Sequence, residues 1–372
     1  MSNFKLHDDT EINMGGLTVL TGMNGMGKSS IIQALLLLRQ SYFSNDLENG
    51  LNLRGDFCDL GISGELACQS SDKHDLKIDM DFSNQAPLSY SFLYPDNIMD
   101  TLLPASEKNV SCREKLAGYS LFNENFQYIS AFRFGPKKSY NRDTSLVVSK
   151  KQISKMMGQC EYTIHFLEKY KNQPIQTKEL AILDESDITP DLRLGEQVGR
   201  WLREISPFIK IDVKQEGEDF KLNYKFDRQD NLITESMSAM NTGFGITYVL
   251  PILVAVLSAK KDALILIENP EAHIHPKGQA VLMKLIAKAV HAGIQVVIET
   301  HSDHIVNGSL VAVNQDLINK EELSLYFFDR DEHKHVAKAH QLHVEEDGHI
   351  HPAPPMNFFD QIEIDLRTLA GF

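Results

Sequence analysis

The sequence predicts an α/β fold with a mixed sheet, a mainly helical insertion and a small C-terminal extension. Three observations carry that reading. "LTVLT", residues 17–21, is a short apolar and β-branched run bounded by glycines, and "SSIIQALLLLRQS" follows it with the length and character of a helix. Between residues 246 and 299 the chain alternates helix, strand, helix and strand, the rhythm of a parallel sheet with helical crossovers. Residues 51–95 contain alternating stretches, "DLKIDMDF" and "LSYSFLY", which predict antiparallel strands.

The remaining elements follow in order. "FQYISAFRFGP" reads as a strand ending at Gly135-Pro136. From about residue 141 the character changes: "EYTIHFLEKY" and "GEQVGRWLREI" carry apolar residues at helical spacing, with a polar stretch between them. "FIKIDVKQEGEDFKLNYKF" alternates on both sides of a glycine-containing turn and predicts a hairpin. A helix over 246–258, a strand over 263–267, a helix over 277–291 and a strand over 294–299 come next. The last 40 or so residues are polar and histidine-rich, and "NFFDQIEIDLRTLAGF" has the pattern of a short amphipathic helix. The expected divisions are an N-terminal lobe over 1–140, an insertion over 141–215, a C-terminal lobe over 216–328 and an extension over 329–372.

Composition narrows the function classes. The 372 residues are 42% hydrophobic and 24% charged, as in a globular protein with a sizeable core. No apolar run is long enough to span a bilayer, and the N-terminus lacks the basic and apolar regions of a signal peptide, so the expected location is the cytoplasm. Cys58, Cys68, Cys112 and Cys160 form no close pair and read as reduced thiols. A net charge of −14 argues against a broadly basic nucleic-acid-binding surface. The acidity is concentrated: residues 301–372 hold 5 Lys+Arg against 13 Asp+Glu, and the acidic, histidine-rich extension over 329–372 is expected to be a solvent-exposed docking surface rather than part of the core.

"GMNGMGKS", Gly22 to Ser29, fits G-x-x-x-x-G-K-[ST] between a predicted strand and a predicted helix. Small residues let the backbone wrap phosphates, and successive N–H groups with the helix N-terminus supply partial positive charge. Lys28 can reach the β- and γ-phosphates, and the Ser29 hydroxyl can ligate magnesium. Gly22, Asn24, Gly25, Gly27, Lys28, Ser29 and Ser30 are therefore the candidate ATP-binding residues of this loop. Near the C-terminus, "LILIENPEAHIHP" begins as a buried strand. Many ATPases end such a strand with an Asp that holds magnesium and a Glu that activates water; here those places read Glu268 and Asn269. Asn has no ionisable side chain, so it cannot accept a proton.

With the loop at one end and this strand about 240 residues away, the chain resembles a split ABC-type ATPase head of the Rad50, SMC and OLD-like branch. "MNTGFGITYVLPIL", "IENPEAHIHP" and "IETHSDH" are similar, in order, to that branch's signature, Walker B and switch-histidine segments. The terminal "EDGHI" and "MNFFDQ" resemble an uncharacterised domain found on some of these ATPases. The long heptad insertion of Rad50 and SMC proteins is missing, and no room remains for the nuclease domain of the OLD proteins.

The resemblance implies a homodimer with ATP and Mg2+ buried between the Walker loop of one subunit and the signature turn of the other. Thr242, Gly243 and Gly245 occupy the signature position, and His301 matches the switch histidine at the γ-phosphate. Glu268 keeps a carboxylate for indirect magnesium ligation, beside Ser29. Asn269 can orient water, and Glu271, two residues on, carries a carboxylate suited to base work. Slow hydrolysis with Glu271 as base is expected; the alternative is a non-hydrolysing ATP-binding scaffold. The resemblance implies an output on a protein effector, a nuclease or toxin in anti-phage defence or DNA maintenance, with DNA a further candidate partner. A transporter ATPase is disfavoured, because neither an "LSGGQ" signature nor a membrane-coupling segment is recognised. Arg133, in "AFRFGP", lies near the place of a phosphate-sensing residue, and a structural role suits it equally. His273 and His275 form an H-x-H better suited to structural or inter-subunit contacts than to a metal. The six histidines from His333 to His351 lack a compact ligand spacing.

Overall fold

The computed structural model describes residues 1–107, 113–183, 189–228, 232–331, 333–355, 358–359 and 361–370. Cys112 and, in the terminal segment, Met356, Asn357 and Asp360 lie outside the described residues. Six strands build the central sheet: β1 (Leu17–Gly22), β2 (Phe126–Ile129), β3 (Leu264–Glu268), β4 (Gln295–Glu299), β5 (Leu323–Arg330) and β6 (Ala337–Leu342). Their spatial order is β6-β5-β1-β4-β3-β2, parallel throughout except for β6, which pairs antiparallel with β5.

Both faces of this sheet are covered, and the period of two in the side chains sorts the core into two halves. Val19, Ile265, Ile267, Val296, Ile298, Leu325 and Phe327 point into one cluster, shared with the helices of the C-terminal half. Leu20, Leu264, Leu266, Val297, Tyr326 and Phe328 point into the other. That second cluster is filled by α1 (Lys28–Ser44), whose "LLLL" run is buried on all sides. A four-stranded antiparallel sheet, in the order 7–9, 2–4, 75–80 and 88–93, packs its apolar side chains into the same cluster.

The segment from 141 onward forms α2 (Thr163–Tyr170) and α3 (Leu194–Ile205). Trp201 in α3 is fully buried and donates its ring N–H to the Leu180 carbonyl at 2.8 Å. The predicted hairpin is present as Ile209–Glu216 and Asp219–Phe226, with the short strand Met237–Ser238 added beside it. Then come α4 (Phe244–Ser258), α5 (Pro276–His291), α6 (Asp303–Asn314) and the terminal α7 (Gln361–Leu369). No helix among the described residues exceeds the 17 residues of α1, and none is long and apolar enough to cross a membrane.

Part of the C-terminal extension is sheet rather than tail: residues 337–342 form the edge strand of the central sheet, and Phe358 meets Phe327 edge-to-face at 5.7 Å. The rest keeps to the surface as its polar composition predicts, with residues 364–369 of α7 exposed. Cys58, Cys68 and Cys160 are buried free thiols, and burial pushes the Cys58 thiol up to about 12.

Candidate nucleotide-binding site

β1 ends at Gly22, and the loop returns to α1 through Gly25 and Gly27, both at positive φ. Gly27, at φ 93°, has a second constraint: a Cβ there would lie 2.7 Å from Nε2 of His7. His7 is completely buried. Its Nε2 donates to the Gly27 carbonyl at 2.9 Å, and its Nδ1 accepts from the Thr10 hydroxyl at 2.9 Å. Burial lowers this imidazole to about 4, against a smaller upward pull from the Gly27 carbonyl, so the ring is neutral and braces the loop from below.

Lys28 begins α1 and is only 3% exposed. Its ammonium donates to the carbonyls of Gly22 at 2.9 Å and Met23 at 2.7 Å, folded back onto the loop that an incoming phosphate would share. Desolvation lowers its pKa and the nearby Glu299 opposes that shift. Ser30 N–H donates to the Gly27 carbonyl at 3.0 Å, closing the first turn.

Because β4 lies between β1 and β3, the ends of three strands converge beside this loop. Glu268 and Glu299 are register partners on adjacent parallel strands. The Glu268 carboxylate accepts from the Tyr128 hydroxyl and the Ala131 N–H, each at 3.0 Å. The acid in contact with Ser29 is Glu299, whose Oε1 accepts from the serine hydroxyl at 2.7 Å. Desolvation raises both carboxyls; Glu299 is pushed up to about 7, relieved by the Ser29 hydrogen bond and aggravated by the charge of Glu268. Its other oxygen, Oε2, is buried with no hydrogen-bond partner among the described residues. Sequence reading missed Glu299. The available signal was an acid ending the apolar strand "IQVVIE", level with Glu268.

Asn269 follows at φ 44°, a left-handed conformation that Asn tolerates better than most residues. Its N–H donates to the Glu299 carbonyl at 2.8 Å. Glu271 accepts from the Thr300 hydroxyl at 2.8 Å and from the His301 N–H at 2.9 Å, so it fixes the turn that carries His301. The His301 imidazole is lowered, by partial desolvation first and by Lys28 second, with Glu271 and the Gly22 backbone opposing. Ser302 caps α6 and donates to Gln279 of α5 at 2.6 Å. Arg133 serves the structure: its guanidinium donates to the carbonyls of Tyr248, Ser130, Glu268 and Asn269 at 2.9–3.1 Å and ties α4 to the end of β3.

The turn Thr242–Gly245 sits at the N-terminus of α4. Thr242 donates to the Ser238 carbonyl at 3.1 Å, and a Cβ on Gly243 would meet nothing within 4 Å. Gly245 is obligatory by contrast, since a Cβ there would lie 2.0 Å from the His273 carbonyl oxygen. His273 packs against Tyr248 and Phe244, with centroids 4.7 and 6.1 Å away, while His275 caps α5 by accepting from the Lys277 N–H at 3.3 Å. The H-x-H is thus in structural use. Among the described residues, no group of three His, Cys, Asp or Glu is placed to hold a metal.

A cavity of about 720 Å³ opens at the loop, lined by Gly22, Met23, Asn24, Asn269, His301, Phe327 and Phe359. None of Thr242–Gly245 lines it. The donors beside it fit a magnesium ion: a serine hydroxyl and an orphaned carboxylate oxygen form an oxygen-only set, and this ion is ordinarily bound by one or two carboxylates together with substrate phosphates and waters.

Fold and site together define a P-loop ATPase head of the ABC type. Residues 17–307 match the family described as "AAA domain, putative AbiEii toxin, Type IV TA system", and the chain belongs to that family. Residues 318–369 match a second family, "Protein of unknown function (DUF3696)". Among solved structures the chain is similar to an Smc head bound to the C-terminal winged-helix domain of ScpA, at 13% identity and TM-score 0.57, covering 93% of this chain and 97% of that one. An Smc head with extended coiled coil from Pyrococcus furiosus aligns at 12% identity and TM-score 0.49, covering 100% and 97%. The first of these carries the fold: an SMC-type ATPase head. No curated protein matches the sequence.

Proposed function

We propose that this chain is an ATP-dependent homodimeric switch that hydrolyses ATP slowly and controls a partner effector. The observation that carries this reading is the separation of two turns, each at a helix N-terminus. The Walker loop lines the cavity, and the signature turn, also at a helix N-terminus, does not. A second copy would bring its signature turn onto the first copy's γ-phosphate, and the open space around Gly243 leaves room for that approach.

Within each site, Gly22, Asn24, Gly25, Gly27 and Ser30 would wrap the phosphates, and Lys28 would exchange two loop carbonyls for phosphate oxygens. Ser29 and a strand-end carboxylate would hold magnesium, with Glu268 the acid that the motif itself nominates. When bound, the ion would neutralise phosphate charge and polarise the phosphoryl oxygens. Asn269 faces the cavity and would orient water; Glu271 holds the His301 turn and is the proposed base. The effector would be a nuclease or toxin in anti-phage defence or DNA maintenance; the family's description itself names the AAA domain as a putative toxin of a type IV system.

A second reading has its own observation. Both oxygens of Glu271 are already engaged by Thr300 and His301, and an amide stands where the motif's base would be, as in an ATP-binding scaffold that does not hydrolyse. Phosphate release from pure protein separates the two. Lys28→Ala should abolish tight ATP binding, and Glu271→Gln should lower turnover by about 10²–10⁴, the range for loss of a general base, with ATP affinity retained. Wild-type protein that binds ATP and releases no phosphate would favour the scaffold.

A further inference from the structure

Glu299 lies within the segment "IETHSDH" but has no role assigned there, yet it is the acid that touches the Walker serine. It is 6% exposed, it accepts from Ser29 Oγ at 2.7 Å through one oxygen, and its second oxygen is buried without a partner among the described residues. A buried carboxylate oxygen without a partner is unfavourable, and a bound cation or donor would relieve it. Glu268, its register partner, has a different assignment: both of its oxygens hold β2 and the segment after it through Tyr128 and Ala131. We propose that Glu299 supplies the protein carboxylate to the magnesium of Mg·ATP, the role that the motif alone gives to Glu268. Glu268 is then a positioning residue that anchors the end of β3 to residues 128–131.

This inference rests on the nucleotide-site reading. The geometry that favours it is local: β4 is the immediate neighbour of β1, whereas β3 is one strand further out. An acid ending β4 therefore reaches the first turn of α1 directly.

The test compares Glu299→Gln with Glu268→Gln, both isosteric, in the full chain. ATP affinity is measured by calorimetry with magnesium and with EDTA, and Mn2+ bound with ATP is followed by electron paramagnetic resonance. Glu299→Gln should lose at least about 10-fold of the magnesium-dependent gain in ATP affinity, with metal-free affinity equal to or better than wild type, since one negative charge beside the phosphates is gone. The Mn2+ spectrum of the ternary complex should change in Glu299→Gln, and Glu268→Gln should keep the wild-type spectrum. Glu299→Asp should restore part of the gain if the fold is intact. Wild-type magnesium dependence in Glu299→Gln, or its loss in Glu268→Gln alone, would overturn the assignment while leaving the nucleotide site standing. A wild-type chain that does not bind ATP would overturn both.

Discussion

Asn269 shows how a single position answers to two demands. The turn after β3 requires a left-handed residue, at φ 44°, and Asn meets that at lower cost than Glu. On the proposed reading the acid chemistry would fall to its neighbours, Glu271 beside the His301 turn and Glu299 on the adjacent strand. A motif reading sees Glu268, Asn269 and Glu271 because they are contiguous, and misses Glu299 because only the β1-β4-β3 order brings it to Ser29. His7 was illegible for the same reason, since its contact with Gly27 spans 20 residues of chain. It yields a pH prediction. Its folded pKa, about 4, lies below the ordinary 6.5, so between those values the unfolded chain binds a proton that the folded chain does not. Its contribution is therefore complete above pH 6.5 and is lost as pH falls toward 4, about 3 kcal/mol in full and about 2 kcal/mol of it by pH 5. Urea unfolding of wild type and His7→Gln at pH 7 and pH 5 checks this: the variant should lack that share of the pH dependence. Equal losses in both proteins would remove His7 as the cause.

At the scale of elements, the strands buried on both faces were legible as short apolar runs, "LTVL" and "LILIE", and the Gly-K-S turn between strand and helix fixed their neighbours. β5 and β6 were not read as strands. "LSLYFF" is apolar on both faces but passes directly into a polar stretch, and β6 is an edge whose exposed side carries Lys338 and His340. Composition therefore read as tail what pairing makes sheet. The turn before α4 is where packing decides most sharply. Two glycines stand two residues apart, one facing open space and one against the His273 backbone. Gly245→Ala should cost about 1–3 kcal/mol in urea unfolding, the usual range for forcing a methyl group into a packed site, and Gly243→Ala less than about 1 kcal/mol. Similar costs at both positions would mean that α4 can shift away from the 269–275 turn. That shift would be resisted by Arg133, which bonds α4 and β3 together.

For the whole molecule, the central claim is that one chain holds half of each ATP site. Arg133 bonds the end of β3, beside the cavity, to α4, whose N-terminus carries the Thr242–Gly245 turn; on the proposed reading, nucleotide at the cavity would be sensed at that turn through these bonds. Closing two such heads around two nucleotides gives a two-state device, and a partner that contacts only one state would sense ATP. The measurement that tests this most directly is the mass in solution, by light scattering after size exclusion, with magnesium and a non-hydrolysable ATP analogue. The wild type should shift from one chain to two on adding nucleotide. Gly243→Asp should bind the analogue with unchanged affinity and remain a single chain, because its carboxylate would face the partner's γ-phosphate. A wild type that stays at the mass of one chain with saturating nucleotide, or a Gly243→Asp variant that dimerises as the wild type does, would contradict the account.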